Sequence, residues 1–360
     1  MRILTAALLA ALCLPAAAQQ TKVLTAEKHN EYGLVYSLPK TALRIDVTAT
    51  KQTRIAGPYF QYAKKYIGTD KIIRENSEQW SITSLDVAPY GVADNSTQYL
   101  MQLKSGSTTF IGVAEDGMLL SINRDPGDLD LPEVPAEGAE NISSGEFPTG
   151  QEYLQYVDGD FLASQSKAKQ AEMLAASLME VRDAYVSLTR GTADNLPTDG
   201  RQLELMLNSL RKQEKALTEA FTGVSYEQTV SRSFSFTPGE EGRSVLFRLS
   251  DFAGFVGADD YSGEPAYITV KVTREGELPT DAEGNVKKYP KEGVAYCIPG
   301  AASIGITFQG TSLFSREFEC GQYGVTFGLD PKLFTDKKAP SYAVFSPVTG
   351  GLQEIGTVNE

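Results

Sequence analysis

Histidine is nearly missing from this 360-residue chain, with His29 the only one. Any Ser-His-Asp or Cys-His centre would have to use it, yet it stands close to the expected mature N-terminus, a poor mooring for a general base. Cysteine occurs only as Cys13, Cys297 and Cys320. One histidine and so few thiols exclude the usual zinc ligand sets. Tryptophan occurs once, at Trp80, where a sugar hydrolase of this size would show several as stacking platforms. The 17 tyrosines can substitute for them. There is no Gly-x-Ser-x-Gly elbow, no glycine loop with a lysine for phosphate and no HExxH. These absences predict no cofactor and no metal. Lys and Arg are outnumbered, 33 against 46 acids, for a formal charge of −13. Such a chain repels nucleic acid and anionic head groups, so neither is expected as a partner.

What is present begins with an address. Met1-Arg2, an apolar run over 3–14 and Ala16-Ala17-Ala18 read as a secretory signal peptide over 1–18. The run is too short to span a bilayer, and no later segment is apolar enough to do so. Cys13 raises lipidation, but Leu12 is bulky where a small residue is needed and Ala10 replaces the usual leucine, so no lipid is expected. The chain therefore reads as exported, to the periplasm or outer envelope of a Gram-negative cell. In that compartment Cys297 and Cys320 predict a disulfide, with two buried free thiols as the alternative.

The rest is arranged around residues 164–223. Ala168, Ala171, Leu174, Ala175, Leu178, Val181, Tyr185 and Leu188 step by three or four, as one helix face does. Gly191 closes that helix, Asp199 caps the next, and Leu203, Met206, Leu207, Leu210, Leu217 and Phe221 form a second stripe ending at Gly223. Two such helices with a short connector pack antiparallel. Leu207→Ala is expected to cost about 2–5 kcal/mol.

Strand-like sequence lies on both sides. Leu43, Ile45, Val47 and Ala49 alternate with Arg44, Asp46, Thr48 and Thr50. Tyr59, Tyr62 and Tyr66 share a face of a short helix, as core or as a ligand platform. Residues 123–163 are rich in proline and acids and read as a linker; Asp125, Asp128, Asp130 and Glu133 lack the EF-hand spacing. Ser250 is expected to cap a short helix through Phe255. The fold predicted is α+β, mainly β. Two antiparallel, sandwich-like domains, 19–122 and 224–360, flank the linker (123–163) and the helical hairpin (164–223). One echo crosses these domains: Gly33-Leu34-Val35-Tyr36-Ser37-Leu38-Pro39 against Gly293-Val294-Ala295-Tyr296-Cys297-Ile298-Pro299, with Ala42 and Ala302 at the same offset. Either both β regions use one proline-ended hairpin, or common strand chemistry coincides.

Further blocks point to a family. Asn30-Glu31-Tyr32-Gly33-Leu34 running on to Lys40-Thr41, Gly57-Pro58-Tyr59, Ala193-Asp194-Asn195-Leu196-Pro197-Thr198-Asp199-Gly200, Gln213-Glu214-Lys215-Ala216-Leu217, Phe221-Thr222-Gly223, Tyr296-Cys297-Ile298-Pro299-Gly300 and Gln322-Tyr323-Gly324 follow one another along the chain. The set resembles the exported Bacteroidetes proteins of domain-of-unknown-function family 4831, over nearly the whole mature chain. The resemblance implies a Gram-negative envelope protein and carries over no catalytic residues.

Two functions remain in view. The first is a non-catalytic envelope protein binding a protein partner or a polymer such as glycan. The second is a carboxylate-dependent glycan-active enzyme, which needs only two acids at the right separation. Asp251, Asp259, Asp260 and Glu264 cluster around short β connections and are its candidates.

Overall fold

The computed structural model describes residues 20–23, 33–102, 109–128, 140–143, 147–197, 199–336 and 339–358. The expected signal segment, Cys13, His29, Asp130 and Glu133 lie outside them. The first elements are β1 (Gln20–Val23), β2 (Leu34–Ile55), α1 (Ala63–Ile67), β3 (Ser77–Gln102), β4 (Ile111–Val113), β5 (Leu119–Ile122) and β6 (Glu140–Ile142). The helical middle is α2 (Gly159–Ala163), α3 (Lys167–Arg190) and α4 (Gly200–Thr222). Then come β7 (Val224–Phe236), β8 (Gly242–Ser250), β9 (Gly254–Val256), β10 (Glu264–Arg274), β11 (Val294–Phe308), β12 (Thr311–Leu329), α5 (Lys332–Thr335), β13 (Ser341–Phe345) and β14 (Leu352–Thr357). At 47% strand against 24% helix the molecule is mainly β. Among the described residues no helix is long and apolar enough to cross a membrane.

The strands form three antiparallel sheets, ordered β1-β3-β2-β7-β6, β12-β11-β10-β8-β9 and β14-β13-β5-β4. The alternation in β2 does what its period dictates. Leu43, Ile45, Val47 and Ala49 are fully buried, and Arg44 and Asp46 turn the other way and meet in an ion pair of 3.0 Å. Across from them stand Ile268 of β10, Ile304 and Ile306 of β11, and Phe247 of β8, so the first two sheets share one core. Each such large side chain contributes about 1.5–3 kcal/mol by leaving water.

This core corrects the expected division at residue 224. Strand β7 follows the helices in the chain but pairs with β2 over its whole length, from Ile55 opposite Val224 to Leu43 opposite Phe236. The β regions before and after the helices are thus interleaved. The expected linker is also partly structured, since β6 pairs with β7 and α2 contributes Phe161 to the helical core.

In the helical layer α3 ends at Gly191, and Asp199 caps α4 by accepting the Arg201 amide at 3.1 Å. Leu174, Leu178, Leu217 and Phe221 bury at the base of the pair around Tyr59, whose ring meets Tyr153 and Phe161 edge-on. The tyrosine stripe is therefore core at Tyr59, with Tyr62 and Tyr66 partly buried beside it. Toward the connector, Leu203, Leu207 and Leu210 are only half-buried. There the helices are tied by polar groups, Arg182 Nε to Glu214 Oε1 at 2.8 Å and Arg211 Nη2 to the Tyr185 hydroxyl at 2.7 Å.

The echo is architectural. Ser37 faces Gln98 and Pro39 faces Ala93, so Leu38 alone stands opposite residues 94–97. Ile298 faces Val325 and Gly300 faces Cys320, so Pro299 alone stands opposite residues 321–324. Both bulged hairpins then meet a turn in the same way: Ser37 N donates to Gly117 O at 3.0 Å and Cys297 N to Gly350 O at 2.9 Å. The prolines do not end their strands as expected. At Pro299 the ladder steps around the proline, where a bulge removes the need for the amide proton it lacks; Pro39 stays in register with Ala93 just past the bulge at Leu38.

Candidate functional site

Asp251, Asp259, Asp260 and Glu264 come together at one end of the second sheet. Leu249 of β8 pairs with Phe255 on one side and Glu264 on the other, so the 251–253 turn and the 257–263 connector leave the sheet side by side. All four carboxylates are exposed. Asp260 Oδ1 accepts the Ser262 amide at 2.9 Å, and bonds from the Ser262 amide and hydroxyl hold its carboxyl below the ordinary range. A general acid for glycoside cleavage needs a shift in the opposite direction.

Two aromatic rings stand among these acids that the sequence reading passed over. Phe252 is 86% exposed and Tyr261 84% exposed. Their signal in the sequence is a large aromatic at a turn position, outside any apolar period. Neither ring is there through slack. Arg248 donates through Nε to Ala258 O at 2.8 Å and through Nη1 to Gly263 O at 3.0 Å, tying both ends of the connector. Its guanidinium also lies 4.6 Å from the Tyr261 ring centre, bracing one face of it. The Phe252 turn is seated on Trp80. Gly254 has φ +72°, and a Cβ there would meet the Trp80 ring at 2.9 Å. Ser250 caps no helix: its hydroxyl accepts the Phe252 and Ala253 amides of this turn at 3.4 and 3.5 Å. The residues after it, Gly254–Val256, extend as β9.

A second site lies where the two bulges meet. A cavity of about 260 Å³ is walled by Pro39, Lys40 and Asp94 from one hairpin and Cys297, Gly321 and Gln322 from the other. Its polar groups are occupied with one another. Lys40 Nζ contacts Asp94 Oδ1 at 3.0 Å, and Gln322 Oε1 accepts the Thr41 amide at 2.9 Å while its Nε2 donates to Thr41 O and Pro238 O. Burial pushes the Asp94 carboxyl up, but Ser96 and Lys40 together outweigh it and hold it below its ordinary value. The volume falls short of the roughly 300–1,000 Å³ of most small-molecule sites.

The expected disulfide is not formed. Cys297 and Cys320 are both free and buried. Cys297 stands opposite Thr326 in the ladder and Cys320 opposite Gly300, so the bulge sets them apart along the strands. Each thiol instead meets a backbone carbonyl, Gly321 O at 3.4 Å and Phe318 O at 3.7 Å. Among the described residues no group of three or more His, Cys, Asp or Glu is arranged to hold a metal ion.

Neither curated proteins nor solved structures include a match to the chain. The family described as Domain of unknown function (DUF4831) matches residues 32–353, a span running from the start of β2 into β14 and taking in both bulged hairpins, the helical pair and the aromatic turn. The chain belongs to the DUF4831 family.

Proposed function

We propose that this is an exported, non-catalytic protein of the Bacteroidetes cell envelope, and that it binds a protein partner or a polymer through the loop end of the second sheet. One observation carries the reading: Phe252 and Tyr261 are held almost fully in water on turns pinned from beneath. Exposing two large rings forgoes the burial that would otherwise stabilise each, by about 1.5–3 kcal/mol, and the turns that carry them leave the same strand end, where Leu249 pairs with Phe255 and with Glu264. Export is supported by the basic start, apolar run and Ala-x-Ala site of the first 18 residues. The glycan-active enzyme is the weaker reading, because the acids lie on open turns and Asp260 is held ionised by Ser262.

In-cell crosslinking of a tagged chain, followed by capture from the envelope and mass spectrometry, tests this. A partner or polymer fragment should be recovered in stoichiometric amount and lost from the Phe252→Ala/Tyr261→Ala variant. Recovery of the bait alone, or capture indifferent to the double substitution, overturns the reading.

A further inference from the structure

We infer that the Phe252–Tyr261 face takes a neutral, hydroxyl-rich saccharide chain, an inference that rests on the binding reading above and names its ligand. Charge narrows the ligand class. Asp251 precedes Phe252, Asp259 and Asp260 precede Tyr261, and these acids and Glu264 are exposed on the same turns, so they disfavour uronate or phosphate polymers at short range. Arg248 already covers one face of Tyr261 at 4.6 Å. A cationic peptide side chain stacking on the same ring would meet a like charge across it, which weakens the cation–π attraction that would recruit it. What remains suited to the face is a ligand with no net charge, an apolar side to lie on an aromatic ring and hydroxyls to donate to carboxylates. A pyranose has all three.

The geometry fits such a ligand in a second way. Both turns are fixed before binding, the Tyr261 turn by Arg248 and the Phe252 turn by Trp80 and Ser250. Pre-organised turns spare part of the ordering cost that weak stacking contacts offset poorly. Two rings on neighbouring turns suit a chain of sugar units better than a single one. A modest affinity is expected, because stacking and hydroxyl–carboxylate bonds compete with water at an open surface.

Trp80 is the only tryptophan and its ring lies against Gly254, so its emission reports on the turn. The full chain is titrated with cellohexaose, mannohexaose and N-acetylchitohexaose, followed by Trp80 emission and by calorimetry. Polygalacturonate and oligo-lysine serve as charged comparators. Saturable binding of at least one neutral hexasaccharide is expected, insensitive to salt and weakened about tenfold or more in Phe252→Ala/Tyr261→Ala. Since both rings project into water, the double variant should keep the parent's thermal midpoint, which separates lost binding from lost fold. Neutral-sugar binding untouched by the double variant overturns the inference. Binding confined to oligo-lysine and lost in the variant also overturns the saccharide, while leaving the face a binding surface. Binding of none of the probes overturns the saccharide class, and the crosslinking capture then decides the broader reading independently.

Discussion

Cys297 and Cys320 show how a residue's surroundings set its chemistry. Desolvation by burial pushes each thiol from its ordinary 9.0 up to about 11, with the Glu319 carboxylate adding to the rise at Cys320. Such thiols are poor nucleophiles at neutral pH. With Cys13 replaced by alanine, the folded chain should resist alkylation at pH 8 and yield two thiols on denaturation without reductant. Finding none would restore the disulfide. The sign of the pH effect follows. Unfolded thiols ionise near 9.0 and folded ones near 11, so the stability contributed is complete below 9.0 and is lost as pH rises through about 11. Thermal midpoints measured across that window should fall less steeply in the Cys297→Ala/Cys320→Ala variant than in the parent. Both cysteines were legible as residues. Their separation was not, because it depends on a bulge at Pro299 that moves one strand past the other. Tyr261 was illegible for a related reason: Arg248, which braces it, is thirteen positions away and reaches it only because the β9–β10 connector folds back over β8.

At the scale of the element, the helical pair is a base and an outer arm with different bonding. Leu217 is fully buried and Leu207 half-buried, although both lie on the same apolar stripe. Leu217→Ala should therefore cost about 2–5 kcal/mol, and Leu207→Ala distinctly less than first expected, since a side chain already near water leaves a smaller cavity. Denaturant midpoints of the two variants decide this; equal losses would mean that the seam is uniform. The periodicity pointed to helix here, and Gly191 and Asp199 stand where α3 ends and α4 begins. Periodicity gives a face and not its depth, and here the depth is set by Tyr59, Tyr153 and Phe161, brought in from three separate segments. The strands failed differently. A strand end was expected at Pro39, yet β2 runs through it because a bulge beside it absorbs the interruption.

For the whole molecule the decisive fact is that the first two sheets bury one core. Two independent β domains would melt separately. A shared core predicts one cooperative calorimetric transition, and fragments 1–223 and 224–360 should each lack a cooperative transition alone, since β2 and β7 would then lose one another. A fragment that melts sharply by itself would return the two-domain division. The middle of β2 was legible from alternation, whereas β9 was expected as helix and β13 and β14 were not read at all. Strand partners were not legible, because nothing local in Val224–Phe236 says that its neighbour is β2 rather than β8.

That pairing also has a history within each molecule as it folds. Joining residue 43 to residue 236 outright means closing a very long loop, and topologies rich in such contacts fold slowly. The helical pair bears on that cost. Its base, through Gly223 next to Val224, lies against Ile55 and Gly57 at the far end of β2. Docked helices would therefore hold Ile55 beside Val224 and leave the ladder to close from that end. The helical pair thus sits where a clasp would, at the one end of the ladder where residues far apart in the chain lie side by side.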